Sequence, residues 1–132
     1  MRAYAKKNFP LTRIRRFLEP GPILLVSSAY QGEWNIMTLG WHMVLGFDPA
    51  LVGCYIWDEN HSFSLIRRSK TCVINIPGSD LIDAVIGVGN THGGKVDKFQ
   101  AFILRRSPHR RSTRRSSPSA TPASSAAWST RA

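Results

Sequence analysis

The chain has 132 residues, 42% of them hydrophobic, and 18 Lys+Arg against 8 Asp+Glu give a formal net charge of +10. One domain with room for a sizeable core is the expectation at this length. No apolar run approaches the roughly 18–20 residues that cross a bilayer, and the basic N-terminus lacks a signal peptide's apolar stretch and cleavage site, so membrane and secreted classes are not expected.

The charge sits at the ends. Residues 1–18 carry six basic side chains and no acid, and residues 103–132 carry seven arginines and no acid. The stretch 19–102 holds five basic residues and all eight acids, a net of −3. A basic nucleic-acid-binding face on the fold itself is therefore disfavoured. Pro10 and the scarcity of serine near it argue against a transit peptide. Cys54 and Cys72 lie among apolar neighbours without a C-x-x-C pattern, which predicts two buried, reduced thiols in a cytoplasmic protein.

In chain order, a basic lead-in ends at Glu19-Pro20-Gly21-Pro22, which stops a helix and launches an extended segment. Ile23–Ser27 reads as a buried strand, and Ala29–Glu33 as a turn around Gln31-Gly32. Trp34–Thr38 and His42–Leu45 read as strands parted by Leu39-Gly40, Asp48-Pro49 as a turn, and Leu51–Trp57 as a further strand. Asn60 or Ser62 can cap a helix through Arg68, with Phe63, Leu65 and Ile66 on its buried side. Val73–Ile76 reads as a strand closed by Pro77-Gly78. Ser79 or Asp80 then caps a helix whose Leu81, Ile82, Val85 and Ile86 follow helical spacing. Gly87–Gly94 reads as a glycine-rich loop and Val96–Phe102 as a third short helix. Strands separated by tight turns favour an antiparallel barrel or sandwich, mainly β with short helices at its ends.

Residues 103–132 differ in kind: Ser, Arg, Ala, Pro and Thr fill 26 of 30 positions. Such a tail cannot bury enough apolar surface to offset its ordering entropy, which predicts disorder. Its Arg-Arg pairs could neutralise phosphates, but with no interleaved aromatic platform only non-specific nucleic-acid binding is expected.

Familiar catalytic patterns are weak. Gly89-Asn90-Thr91-His92-Gly93-Gly94-Lys95 has the spacing of a phosphate-binding P-loop, but Val96 stands where Ser or Thr should hold magnesium, and a helix precedes it instead of a strand. The four histidines are scattered without metal-ligand spacing. No G-x-S-x-G elbow or acidic pair stands out.

A more specific pattern lies in the centre. Asn35-Ile36-Met37-Thr38-Leu39-Gly40-Trp41-His42 is followed by Phe47-Asp48-Pro49-Ala50-Leu51-Val52-Gly53, then Asn60-His61-Ser62-Phe63, Cys72-Val73-Ile74-Asn75-Ile76-Pro77 and Asp97-Lys98-Phe99. In order and spacing these segments resemble the flavin reductase-like proteins, of the flavoredoxin type, which bind FMN on a split β-barrel of Greek-key type. The resemblance runs from about Leu11 to Phe102. It implies FMN contacts at Asn35, Thr38, Trp41, Ser62 and Lys98, hydride transfer from NADH or NADPH to the flavin, and a homodimer. The residue types suit that role: a lysine and a helix-start hydroxyl for the phosphate, an asparagine for the flavin edge, a tryptophan for its face. The cofactor carries the chemistry, so no catalytic acid or base is required. A flavin carrier without reductase activity is the alternative.

Members of that family continue beyond the Asp97-Lys98-Phe99 helix with further barrel strands, including a histidine and an aromatic contact. Here the Ser/Arg tail intervenes, and the expectation is out-of-frame translation from about residue 103. The division is then a lead-in over 1–18, a partial domain over 19–102 and a foreign tail over 103–132. An incomplete barrel of this kind predicts weak or absent FMN binding.

Overall fold

The computed structural model describes residues 8–106. The expected disorder of the tail therefore falls, from residue 107 onward, outside the described residues. The expectation of a mainly β fold with short helices holds. Strands β1 (Leu24–Tyr30), β2 (Glu33–Leu39) and β5 (Val73–Asn75) form one sheet in the order β2-β1-β5. Strands β3 (His42–Phe47) and β4 (Ala50–Cys54) form a separate two-stranded sheet, and all pairings are antiparallel. Helices α1 (Arg15–Leu18), α2 (His61–Ser69), α3 (Ile82–Gly89) and α4 (Lys98–Ala101) surround them.

The central strand β1 reads as a continuous apolar run because both of its faces are covered. On one face Leu24 and Val26 join Met37, Leu39 and Ile74 with Ile14 and Leu18 in the main core. On the other, Leu25 and Ile36 pack with Val88 and Phe99. The β1–β2 hairpin pairs Tyr30 with Glu33 around Gln31-Gly32, and both turn residues have positive φ, 49° and 84°. Positive φ at both central positions is the conformation whose twist matches the strands it joins. Gly32 adopts it without cost, and Gln31 follows.

Boundaries differ from the sequence reading for local reasons. β1 and β2 each reach further into the hairpin than expected, because the tight turn needs only residues 31 and 32. The strand expected over Leu51–Trp57 is Ala50–Cys54, and Tyr55–Trp57 leave the ladder. Asn60, not Ser62, caps α2: its side chain accepts from the Ser62 N–H at 2.9 Å. Leu65 is fully buried, whereas Phe63 and Ile66 are only half-buried.

The third helix departs most. A 3-10 turn over Ser79–Leu81 precedes α3, and neither Ser79 nor Asp80 caps it with a side chain. Ile82 and Ile86 face outward, and the helix instead buries Val88 and half-buries Val85 against the sheet. The helix continues through Gly87–Gly89, so the glycine-rich loop starts later than expected. Val96–Phe102 shrinks to Lys98–Ala101, capped by Asp97, whose carboxylate accepts from Phe99 and Gln100 N–H. Cys54 is exposed rather than buried, because it closes β4 where no described residue forms a covering layer, while Cys72 is half-buried beside the main core.

Candidate functional site

Strand β2 carries two of the candidate residues on opposite faces, as its period of two dictates. Asn35, 2% exposed, donates from Nδ2 to the Ser62 Oγ at 2.8 Å. Ser62 is fully buried as the second residue of α2. The loop after α3 closes over this pair: a Cβ at Gly93 would fall on the Asn35 side-chain amide, so only glycine fits there. Ser28 lies directly opposite Asn35 in the β1–β2 register. It is buried, and its Oγ has no hydrogen-bond partner among the described residues.

Thr38 and Lys98 meet α3 instead. Thr38 Oγ1 donates to the Val85 carbonyl at 2.7 Å and the side chain lies against Gly89. Lys98 Nζ donates to the Val88 carbonyl at 2.9 Å. The lysine is 6% exposed, and no carboxylate pairs with it among the described residues. Its burial holds the ammonium pKa below the ordinary lysine value. A buried cation with only a neutral carbonyl for company is costly and is ordinarily paired.

Trp41 stands apart. It is 71% exposed, with its ring 5.3 Å from that of Tyr55 on the β3–β4 hairpin. The structure thus joins Asn35 to Ser62, sets Thr38 and Lys98 on successive turns of α3, and leaves Trp41 touching neither group. Ser28 was not among the residues singled out from the sequence, since a serine in a strand carries no local signal, and Gly93 stood out only as one of several glycines in the Gly89–Lys95 loop.

Around the Asn35–Ser62 pair runs a polar rim. His61 Nε2 lies 2.7 Å from the Glu33 carboxylate, its ring centroid is 5.9 Å from that of His92, and the Gly94 N–H donates to His92 Nδ1 at 3.2 Å. No group of His, Cys, Asp or Glu among the described residues is arranged to hold a metal ion. An open depression of about 420 Å³ lies elsewhere on α2, lined by Phe63, Ser64, Arg67, Arg68 and Lys70, and includes none of the five candidate residues. No described helix is long and apolar enough to cross a membrane.

With this geometry in place, comparison with known proteins is decisive for the family. The model of the flavin reductase like domain matches residues 15–127. The chain belongs to the flavin reductase like domain family. An uncharacterized protein of Pyrococcus abyssi is 33% identical over 89 residues, covering 67% of this chain and 52% of its own. Protein YddH of Escherichia coli is 29% identical over 89 residues, covering 66% and 47%. Among solved structures, an FMN-binding domain of a flavin reductases-like enzyme from Shewanella baltica superposes with a TM-score of 0.70 at 24% identity, over 80% of this chain and 56% of that one. An FMN-binding protein from Thermus thermophilus gives 0.59 at 26% identity, over 76% and 56%. Flavoredoxin from Methanosarcina acetivorans gives 0.56 at 25%, over 74% and 50%. The chain spans about half the length of the relatives it matches. The two sheets and short helices are accordingly part of the split-barrel fold of FMN-binding members of the family.

Proposed function

We propose that this chain is the FMN-binding unit of an oxidoreductase in which a hydride passes from NADH or NADPH to the flavin. The observation that carries the reading is Lys98: an ammonium buried to 6% exposure, held by one carbonyl and by no carboxylate among the described residues. An anionic phosphate supplies the missing countercharge, and charge-assisted hydrogen bonds of this kind are among the stronger ones. The unpartnered Ser28 Oγ, opposite Asn35 in the β1–β2 register, offers a further polar group on the Asn35 side of the strand.

In this reading Lys98 binds the phosphate and Ser62 adds a hydroxyl at the start of α2. Asn35 both donates and accepts toward flavin edge atoms, Thr38 contributes a second hydroxyl, and Trp41 offers an apolar face. Bound FMN would supply the hydride-accepting chemistry, and the protein's part is to hold and orient it. A homodimer working in the cytoplasm completes the reading. The test is titration of the full chain with FMN, followed by flavin fluorescence, with NADH and NADPH consumption measured on the loaded protein. Saturable FMN binding with nicotinamide oxidation supports the reading. Binding without oxidation reduces it to a flavin-binding module, and failure to bind FMN overturns it.

A further inference from the structure

Three of the five basic side chains in the acid-rich stretch 19–102 gather on one helix: Arg67, Arg68 and Lys70. With Phe63 and Ser64 they line the open depression of about 420 Å³ on α2, a volume typical of small-molecule pockets. Helical spacing groups them, because Phe63 and Arg67 are four residues apart, as are Ser64 and Arg68. Ser62 and Leu65 are buried on the side of α2 that packs on β1 and β2, whereas both arginines and Lys70 are exposed. None of the three cations forms an ion pair with a carboxylate among the described residues. Residues 1–7 and 107–132 contain no Asp or Glu.

The negative end of the helix dipole accounts for cations in a last turn. It does not account for a concave surface with an aromatic wall, nor for lysine at the cap. Lys70 closes α2 with a φ of 58°, the left-handed conformation that glycine adopts without cost. A lysine there sets an ammonium at the end of the depression at some conformational cost. Arg68 is steadied by Tyr30, whose ring centre lies 6.0 Å from the guanidinium. Guanidinium groups grip phosphates through paired N–H donors, and lysine adds a point charge. The Ser64 hydroxyl donates to the His61 carbonyl at 3.3 Å and keeps its lone pairs for a sugar hydroxyl. Half-buried Phe63 offers a ring face to a base.

We propose that this depression binds a nucleotide through a phosphate monoester, with Arg67, Arg68 and Lys70 on the phosphate and Phe63 against the base. The inference does not depend on the flavin reading. A free nucleotide such as AMP carries such a monoester, and so does the adenosine end of NADPH; NADH has only diesters. Isothermal titration calorimetry on the full 132-residue chain at low salt compares AMP, adenosine, inorganic phosphate, NADP+ and NAD+. AMP should bind saturably, and adenosine and inorganic phosphate each roughly tenfold more weakly. Arg67→Gln and Arg68→Gln should each weaken AMP about tenfold, as loss of a hydrogen bond from a charged group does. Lys70→Gly should weaken AMP severalfold while the urea midpoint holds or rises, since glycine suits the cap. NADP+ binding like AMP identifies the dinucleotide as the source of the monoester, and weak NADP+ binding identifies the free nucleotide. No saturation at millimolar AMP would overturn the proposal, as would inorganic phosphate or NAD+ binding as tightly as AMP. So would AMP affinity kept in both arginine variants, or lost in Lys98→Met, which would move AMP to the proposed flavin position.

Discussion

The Asn35 side-chain amide donates to the Ser62 hydroxyl at 2.8 Å, tying the first buried position of β2 to the first turn of α2 across 27 residues of sequence. The bond is closed to solvent, so its loss is felt in full. Ser62→Ala leaves the Asn35 Nδ2 without its partner, and an unsatisfied buried donor costs about 1–3 kcal/mol. Urea unfolding should report that loss at unchanged slope. An unaltered midpoint would show that the amide finds another partner.

Lys98→Met separates structure from ligand binding. The substitution removes one hydrogen bond to the Val88 carbonyl and also the burden of a desolvated charge, so stability should change by no more than about 1 kcal/mol. FMN affinity, however, should fall about tenfold or more, since a hydrogen bond from a charged group contributes about 1.5–3 kcal/mol. Riboflavin, which lacks the phosphate, is the control: its affinity should be the same for both proteins. Equal losses for FMN and riboflavin would remove the phosphate from Lys98.

Gly93→Ala is expected to displace the loop after α3, because a Cβ there falls on the Asn35 amide. Overpacking of this kind costs roughly 1–3 kcal/mol. Gly94→Ala is the matched comparison: its nearest neighbours are the imidazoles of His92, at 3.2 Å, and His61, side chains that can turn aside. Thermal unfolding should rank Gly93→Ala well below Gly94→Ala.

The two thiols should differ in reactivity. Burial, with the nearby Cys54 as a lesser cause, raises the Cys72 pKa to about 11. Cys54 is also raised by burial of its thiol, although the residue as a whole is exposed. Iodoacetamide at neutral pH should label Cys54 first and Cys72 only on unfolding, because the thiolate is the reactive form. A folded pKa above the unfolded value near 8.5 means the folded chain favours the protonated thiol. Stability from Cys72 is therefore full below pH 8.5 and declines between there and about 11. Mass spectrometry of partly labelled protein distinguishes the sites.

Asp97 should make the last helix acid-sensitive. The neighbouring Arg106 guanidinium, followed by the N–H groups of Gln100 and Phe99, holds its carboxyl below the ordinary value. A lowered carboxylate pKa stabilises the fold above the unfolded value near 4 and ceases to do so as pH falls through the folded one. Asp97→Asn should flatten that part of the stability profile in chemical denaturation from pH 5 to pH 2. A profile unchanged by the substitution would assign the acid sensitivity elsewhere.

Much was legible in local sequence. The run Leu24–Val26, the Gln31-Gly32 turn and Asn60 before an apolar-spaced segment each act within a few residues, and each appears in the fold where expected. The joint order of the central motifs pointed to the family that the chain belongs to. Local patterns failed where two layers compete for one element. In α3 the spacing of Ile82 and Ile86 is helical, yet the sheet takes Val85 and Val88 instead.

The sequence by itself determined the elements, their turns and the family, because propensity, capping and chain reversal are short-range. Only the tertiary structure decided that Asn35 meets Ser62, that Lys98 is buried with no carboxylate beside it among the described residues, and that Trp41 lies exposed beside Tyr55. Alternation along a strand says that two faces differ. It does not say which layer covers each face, because that depends on segments brought together only when the whole chain packs.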